Sequence, residues 1–204
     1  MNTKTAIGWG LWCLLCMPAF AAKTAIVIGN SNYVSSQDRL INPKNDAQAI
    51  AKRLDELGYD TQLILNADLE KMLAALNRLP RDPEGTVLFY YAGHGVQIDQ
   101  RNYLVPVDAR MDNRDMVERQ TIAVREVLDK LHRTQAAQRV VILDACRNDP
   151  FPKAYRSGAR GLSRESIPAS KGQMILYAAS ADEVADDGRG QHGDRKSTRL
   201  NSSH

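Results

Sequence analysis

The sequence is poor in cysteine and in net charge, and these two shortages exclude several classes of protein. Its 204 residues include three cysteines, Cys13, Cys16 and Cys146, which are too few for a small fold stapled by disulfides. The net charge is only +3 and the basic residues form no block or helix stripe, which argues against a nucleic-acid partner. With 43% hydrophobic and 25% charged residues, the composition instead suits one ordinary α/β domain.

Long apolar runs are absent after the N-terminal segment, residues 1–22. This segment has a positive start, an apolar run over 6–17 and small residues at Ala19 and Ala21. The run is short for a bilayer span, and the two alanines match the −3 and −1 positions that signal peptidase reads. We therefore predict a secretory signal peptide over 1–22 and a periplasmic or secreted protein. The alternative is an uncleaved segment that anchors the protein in a membrane.

The other end of the chain also differs from the rest. Residues 194–204 are polar, show no periodicity and resemble the conceptual translation of a sequencing adapter. We expect them to be an artefact that replaces the natural continuation after Gly193. Between the two ends, basic and acidic residues balance and Cys146 is the only cysteine. A lone thiol in an exported protein is a liability unless it is buried or reactive.

Short apolar runs with turn signals between them predict alternating strands and helices. Strands are expected at 24–29, 59–65, 86–92, 139–143 and 174–179, helices at 42–57, 68–79 and 124–131, and a hairpin within 96–107. Residues 147–172 lack a period and are rich in proline, glycine and basic residues, which predicts a long exposed loop. This order predicts a three-layer α/β/α sandwich with a mostly parallel central sheet.

Two reactive residue types follow neighbouring predicted strands. His94 follows the third strand in the sequence AGHG, and Cys146 follows the fourth in LDACR. Because the carboxyl ends of parallel strands meet at one edge of a sheet, we expect the imidazole and the thiol to lie close together. An imidazole can take the proton of a thiol and leave a nucleophilic thiolate. The pattern predicts a His-Cys dyad, with the N–H groups of Gly95 and Cys146 as an oxyanion hole.

Each of these residues alone is more often structural. A single cysteine after a core strand is commonly a small buried residue, and a single histidine is commonly a hydrogen-bond donor. The occurrence of both at strand ends, with one cysteine in the mature chain, favours the dyad.

Several segments resemble the caspase-like cysteine peptidases, nearest to the bacterial metacaspase-type members (orthocaspases). The matching segments read AIVIGN (25–30), NDA (45–47), LGY (57–59), FYYAGHG (89–95) and DACR (144–147). The caspase signature has Gln-Ala-Cys with a histidine about fifty residues upstream, and here Asp144 replaces the glutamine while the spacing is kept. The resemblance implies a cysteine endopeptidase with Cys146 as nucleophile and His94 as general base and then acid.

The resemblance also implies a division of the chain. Residues 23–150 correspond to the large catalytic subunit, 151–172 to a linker loop, and 173–193 to the start of a small subunit that is incomplete. The incompleteness makes activity of this chain uncertain. An alternative to an enzyme is a catalytically weak caspase-like module that binds peptides or proteins. A nucleotide-binding domain is disfavoured, because no glycine-rich phosphate loop follows the first strand.

The resemblance implies a preference for substrates with Arg or Lys before the cleaved bond. Asp46 and Asp144 match the acidic pair that binds the basic side chain in such relatives. Two neighbouring carboxylates repel each other unless a cation enters, so such a pocket selects Arg or Lys. Asp46 could instead stabilise a helix by its favourable interaction with the positive end of the helix dipole, and Asp144 could accept hydrogen bonds from loop N–H groups. Arg39 keeps a preference for acidic substrates open as an alternative.

The expected partner is a peptide or protein substrate, without nucleic acid and without membrane contact beyond the export signal. No cofactor or metal is expected, because the acidic residues at 182–187 lack a calcium-ligand spacing and His132 and His192 lack partners in sequence. The oligomeric state is not predicted. Five basic residues of the loop make self-cleavage a hypothesis: Lys153, Arg156, Arg160, Arg164 and Lys171.

Overall fold

A computed structural model of the chain describes residues 21–35, 39–110, 114–146, 162 and 170–178. Most of the predicted signal peptide and most of the predicted linker lie outside these residues. So do the rest of the small-subunit region after residue 178 and the predicted C-terminal artefact.

The described residues form seven strands and four helices. They are β1 (Lys23–Gly29), α1 (Pro43–Glu56), β2 (Asp60–Leu65), α2 (Leu69–Asn77), β3 (Thr86–Ile98), β4 (Arg101–Leu104), α3 (Arg114–Gln120), β5 (Ile122–Ala123), α4 (Val124–Arg133), β6 (Gln138–Cys146) and β7 (Gln173–Tyr177).

Five of the strands form a parallel sheet in the order β2-β1-β3-β6-β7. Strand β4 pairs antiparallel with the far end of β3, and β5 pairs with β4. Helix α1 packs on one face of the sheet, while α2 and α4 contribute to the apolar core on the other face. The predicted three-layer α/β/α sandwich with a mostly parallel sheet is confirmed.

Alternating burial explains why both faces of the sheet need helices. The side chains of Ile26, Phe89 and Val141 lie in the core under α2 and α4, whereas those of Val27 and Tyr90 pack under α1. Successive side chains of a strand point to opposite faces, so strands that are apolar at every position must be covered twice.

Helix α1 packs closely on the end of β1 because residue 29 is a glycine. A Cβ on Gly29 would lie 2.6 Å from both the Ala47 side chain and the Pro43 carbonyl oxygen, so only glycine allows this approach. Asn42 occupies the N-cap and Pro43 suits the first turn, where its missing N–H costs no hydrogen bond. The first turn of α1 therefore lies directly over the carboxyl end of β1.

Strand β3 is longer than predicted. The sequence placed its end at residue 92, before His94 and its two flanking glycines, but the strand continues to Ile98. Its last residues pair with β4 across a hairpin whose turn residues, Asp99 and Gln100, both have positive φ. The prediction that His94 follows the strand is wrong, because neighbouring strands on both sides hold the two glycines in extended conformation.

Other boundaries also differ from the predictions. Strand β6 continues to Cys146 rather than ending at residue 143, and the short helix α3 was not predicted. The prediction of a fully exposed loop over 147–172 is wrong at Leu162, which is buried in the core. A leucine among polar and basic residues gave no periodic signal that could have indicated this contact.

The amino end of the sheet is closed by Arg139, at the start of β6. Its guanidinium donates hydrogen bonds to the carbonyl oxygens of Ala136 and Lys171 and to the Ser170 hydroxyl. The side chain is buried, and the main chain of Arg139 also donates to the carbonyl of Gly172. One side chain thus joins the turn before β6 to the turn before β7.

Candidate active site

The predicted site residues are aligned by the register of three neighbouring strands. Gly29 of β1 is paired with Ala92 of β3, and Ala92 is paired with Asp144 of β6. Two residues further along, His94 is paired with Cys146. The same edge of the sheet therefore carries three of the predicted residues.

The register places the two positions of the predicted dyad next to each other. The Cα atoms of paired residues on neighbouring strands lie about 5 Å apart. His94 and Cys146 are far apart in sequence, so the adjacency comes from the crossover through β4, α3 and α4. The two positions are therefore neighbours across the β3–β6 ladder.

His94 is buried and held by two tyrosines. Its main-chain N–H donates to the Tyr33 hydroxyl over 2.8 Å, and the Tyr33 ring is tilted against the imidazole with centroids 4.5 Å apart. The Tyr91 hydroxyl lies 2.8 Å from the carbonyl oxygen of His94, to which it donates. The two hydrogen bonds hold the main chain of His94, and the Tyr33 ring packs against its imidazole.

The glycine before His94 is required by the same tyrosines. A Cβ on Gly93 would lie 2.6 Å from the Tyr33 hydroxyl oxygen and 2.7 Å from that of Tyr91. Both rings are buried and cannot move away without losing their packing. The first glycine of the sequence GHG thus gives the two hydroxyls access to the backbone.

The N–H of Gly95 points towards β6. The carbonyl of Ala92 accepts from the N–H of Asn30, and that of His94 accepts from the N–H of Val105, so both face the β1 and β4 side. Main-chain groups alternate in direction along an extended strand, so Gly95 faces the opposite side. This is the side on which β6 lies, with Cys146 paired to His94.

Leu162 packs against Gly95, on the side where a side chain would otherwise project. A Cβ on Gly95 would lie 2.8 Å from a methyl carbon of Leu162 and 3.1 Å from the Cβ of Ala145. Leu162 is 5% exposed, so a residue of the predicted linker is anchored in the core beside the candidate site.

The two predicted specificity residues lie at the same end of the sheet. Asp144 is half-buried near the end of β6 and accepts a hydrogen bond of 3.2 Å from the Tyr90 hydroxyl. Asp46 is half-buried in the first turn of α1, which packs on Gly29 through the neighbouring Ala47. Gly29 and Asp144 belong to one row of the sheet, two strands apart. Arg39, the basis of the alternative preference, is exposed.

Three tyrosines of this region were not predicted from the sequence. Tyr33, Tyr90 and Tyr91 supply the hydroxyl groups around His94 and Asp144. The only signal was their presence beside the motifs, since Tyr90 and Tyr91 read as apolar strand residues. Aromatic residues in an apolar strand do not reveal which polar group their hydroxyls will meet.

Neither a metal-ligand cluster nor a membrane-spanning helix occurs in the described residues. In the part of the chain that the structure describes, no group of three or more His, Cys, Asp or Glu side chains could hold a metal ion. Within the same residues, no helix has the length and apolar character needed to cross a bilayer.

Comparison with known proteins gives a family match over most of the chain. Residues 22–195 match the family model described as Caspase domain. Mucosa-associated lymphoid tissue lymphoma translocation protein 1 of Homo sapiens is 29% identical over 132 residues, which are 64% of this chain and 16% of that protein. Its Mus musculus homolog is 28% identical over 132 residues, covering 64% of this chain and 15% of that protein. The chain thus matches only a small part of these two curated relatives.

Solved structures that resemble this chain include the Drosophila initiator caspase Dronc. The TM-score is 0.49 at 10% identity, over 76% of this chain and 54% of that one. A protein from Geobacter sulfurreducens gives a TM-score of 0.46 at 19% identity, over 62% of this chain and 51% of that one.

Proposed function

Since the chain belongs to the Caspase domain family, a family of cysteine peptidases, we propose that it is an endopeptidase with Cys146 as nucleophile and His94 as its base. The observation that carries this proposal is the pairing of His94 with Cys146 at the end of two parallel strands. Cysteine-peptidase chemistry with a His-Cys dyad needs an imidazole within reach of the thiol, and adjacent strand positions supply that proximity.

The reaction proceeds in two halves. His94 takes the proton of the Cys146 thiol, and the thiolate attacks the carbonyl carbon of the substrate peptide bond. The negative oxygen that forms is stabilised by the N–H groups of Gly95 and Cys146. His94 then gives its proton to the leaving amine. Water, activated by the same imidazole, hydrolyses the thioester and regenerates the thiol.

Cleavage follows Arg or Lys in this proposal. Asp46 and Asp144 bind the basic side chain of the substrate, and their location at one end of the sheet supports a common role. Carboxylates that are half-buried bind a cation more strongly than exposed ones, because less water screens the charges.

Self-processing in the 147–172 loop belongs to the same proposal, with one restriction. Lys171 lies in a turn whose Gly172 has φ of +74°, and its carbonyl accepts from Arg139 over 2.6 Å. That turn lies at the amino end of β6, about 23 Å along the strand from Cys146. A peptidase needs an extended bond at its own site, so the remaining candidates are Lys153, Arg156, Arg160 and Arg164.

Export to the periplasm, followed by removal of residues 1–22, completes the proposal. Cell fractionation with N-terminal sequencing of the mature chain tests it. A protein that keeps residue 1 and sediments with membranes would support the anchored alternative instead.

An arginyl chloromethyl ketone that carries a fluorophore tests the chemistry. We expect the wild-type chain to be labelled, the label to be absent in Cys146→Ala, and labelling to be at least a hundredfold slower in His94→Ala. Folded wild-type protein that takes no label would favour a peptide-binding module without turnover. Faster cleavage of an aspartyl reporter peptide than of an arginyl one would overturn the basic preference.

A further inference from the structure

Tyr90 has a buried hydroxyl group that meets a half-buried carboxylate. Its side chain is 0% exposed, and the hydroxyl donates to Oδ2 of Asp144 over 3.2 Å. A buried phenol needs an acceptor, and a carboxylate acceptor makes a stronger bond than a neutral one. Phenylalanine would fill the same volume of the core, so the hydroxyl is what tyrosine adds at this position.

The surroundings of Tyr90 make it a rigid support. It lies in the cluster under α1 together with Ala47 and Ala51, and its strand partner is Ile142, two residues before Asp144. Both strands are in the interior of the sheet, and Tyr90 makes contacts on the face that α1 covers. A carboxylate rotates easily about its Cβ–Cγ bond, and a hydrogen bond from a fixed donor restricts that rotation.

We propose that Tyr90 is a specificity-determining positioning residue, which fixes the Asp144 carboxylate in the orientation that receives a basic substrate side chain. The inference rests on the proposed function, in which Asp144 binds Arg or Lys. Tyr90 itself touches neither the substrate nor the reacting atoms. Its contribution is to bring the carboxylate to the substrate already oriented, so that binding does not have to order it.

The test compares two reporter peptides of otherwise identical sequence. One has Arg before the cleaved bond, and the other has citrulline, the uncharged isostere of Arg. In Tyr90→Phe we expect kcat/KM for the arginyl peptide to fall about tenfold, mostly through KM, because a hydrogen bond to a charged group is lost. The citrulline peptide should change less than twofold. Asp144→Asn should remove the preference for arginine, and Tyr90→Phe should then have no further effect on the Arg/citrulline ratio in the double variant.

A matched control is Tyr103→Phe, since the Tyr103 hydroxyl bonds Glu118 and its ring lies in a different apolar cluster from that of Tyr90. It should leave the Arg/citrulline ratio unchanged, and thermal unfolding should report how far each variant is destabilised. An unchanged ratio in Tyr90→Phe, with the preference lost in Asp144→Asn, would overturn the role of Tyr90 alone. A ratio that Asp144→Asn does not change would overturn the basic pocket itself.

Discussion

The two ends of strand β6 both hold polar side chains away from water, and they do so differently. At the amino end, the Arg139 guanidinium donates to main-chain carbonyls of two turns, at Ala136 and Lys171. At the carboxyl end, Asp144 accepts from the side-chain hydroxyl of Tyr90. A side chain that bonds two turns fixes the main chain, whereas a hydroxyl that bonds a carboxylate orients a group that another molecule can meet. The group that is held, a pair of turns or a half-buried carboxylate, separates the structural end of β6 from the candidate active site.

Removing the imidazole at the carboxyl end should have the largest effect on activity. We expect His94→Gln to lower kcat/KM at least a thousandfold, because the thiol loses its base and the leaving amine its acid. The free energy of unfolding, measured in urea, should change far less than kcat/KM does. If His94→Gln retained more than a tenth of the wild-type rate, the division between the two ends of β6 would fail.

Removing the guanidinium at the amino end should break the fold rather than the chemistry. Arg139→Met leaves buried carbonyl acceptors unpaired and should cost about 2–3 kcal/mol of unfolding free energy, measured in urea. The control is Arg53→Met, which removes an exposed ion pair with Glu56 and should cost under about 0.5 kcal/mol. Equal midpoints for the two variants would show that Arg139 does not hold the turns together.

Removing the hydroxyl group of Tyr33, which accepts from the main chain of His94 at the carboxyl end of the sheet, should have a smaller effect on activity and stability. Tyr33→Phe leaves the buried N–H of His94 without its hydroxyl acceptor, so we expect kcat to fall about tenfold and the fold to lose about 1–2 kcal/mol. The KM of a reporter peptide should stay within about twofold, since Tyr33 contacts the base rather than the specificity residues. A rise in KM with unchanged kcat would contradict this assignment.

The smallest effect should come from Asp68, which lies at the N-terminus of α2 but outside the site. Its carboxylate accepts from the N–H and the ammonium of Lys71, and the side-chain hydrogen bond lowers the pKa of Asp68 below its usual 3.8. Asp68→Ala should cost about 1 kcal/mol at neutral pH. The difference between wild type and variant should be complete above pH 3.8 and vanish as pH falls through the lowered pKa. Activity at neutral pH should not change.

Much of the fold followed from local patterns. The runs that became β1, β3 and β6 are apolar over most of their length, and the apolar spacing of α1, α2 and α4 predicted those three helices. The extension of β3 through its glycines could not be predicted, because it depends on pairing with β4 and β6 rather than on propensity.

The candidate site was predictable in its positions and not in its supports. Strand ends and residue types indicated His94 and Cys146, and the register then placed them side by side. The hydrogen bond between Tyr33 and His94 joins residues 61 positions apart, and that between Tyr90 and Asp144 joins residues 54 apart. Such contacts depend on the packed geometry of several elements, which residue patterns do not carry.

Strand β3 belongs to two ladders, and this sets the order in which the site assembles during folding. Its last residues form a hairpin with β4 over a two-residue turn, and hairpins close within about 1–10 μs. Its first part needs β1 and β6, whose pairing must wait for much longer loops to close. We expect His94 to be held at the base of a formed hairpin before Cys146 arrives. Under the proposed mechanism the thiol is without its base until β6 pairs with β3, which delays peptidase activity until the sheet is complete.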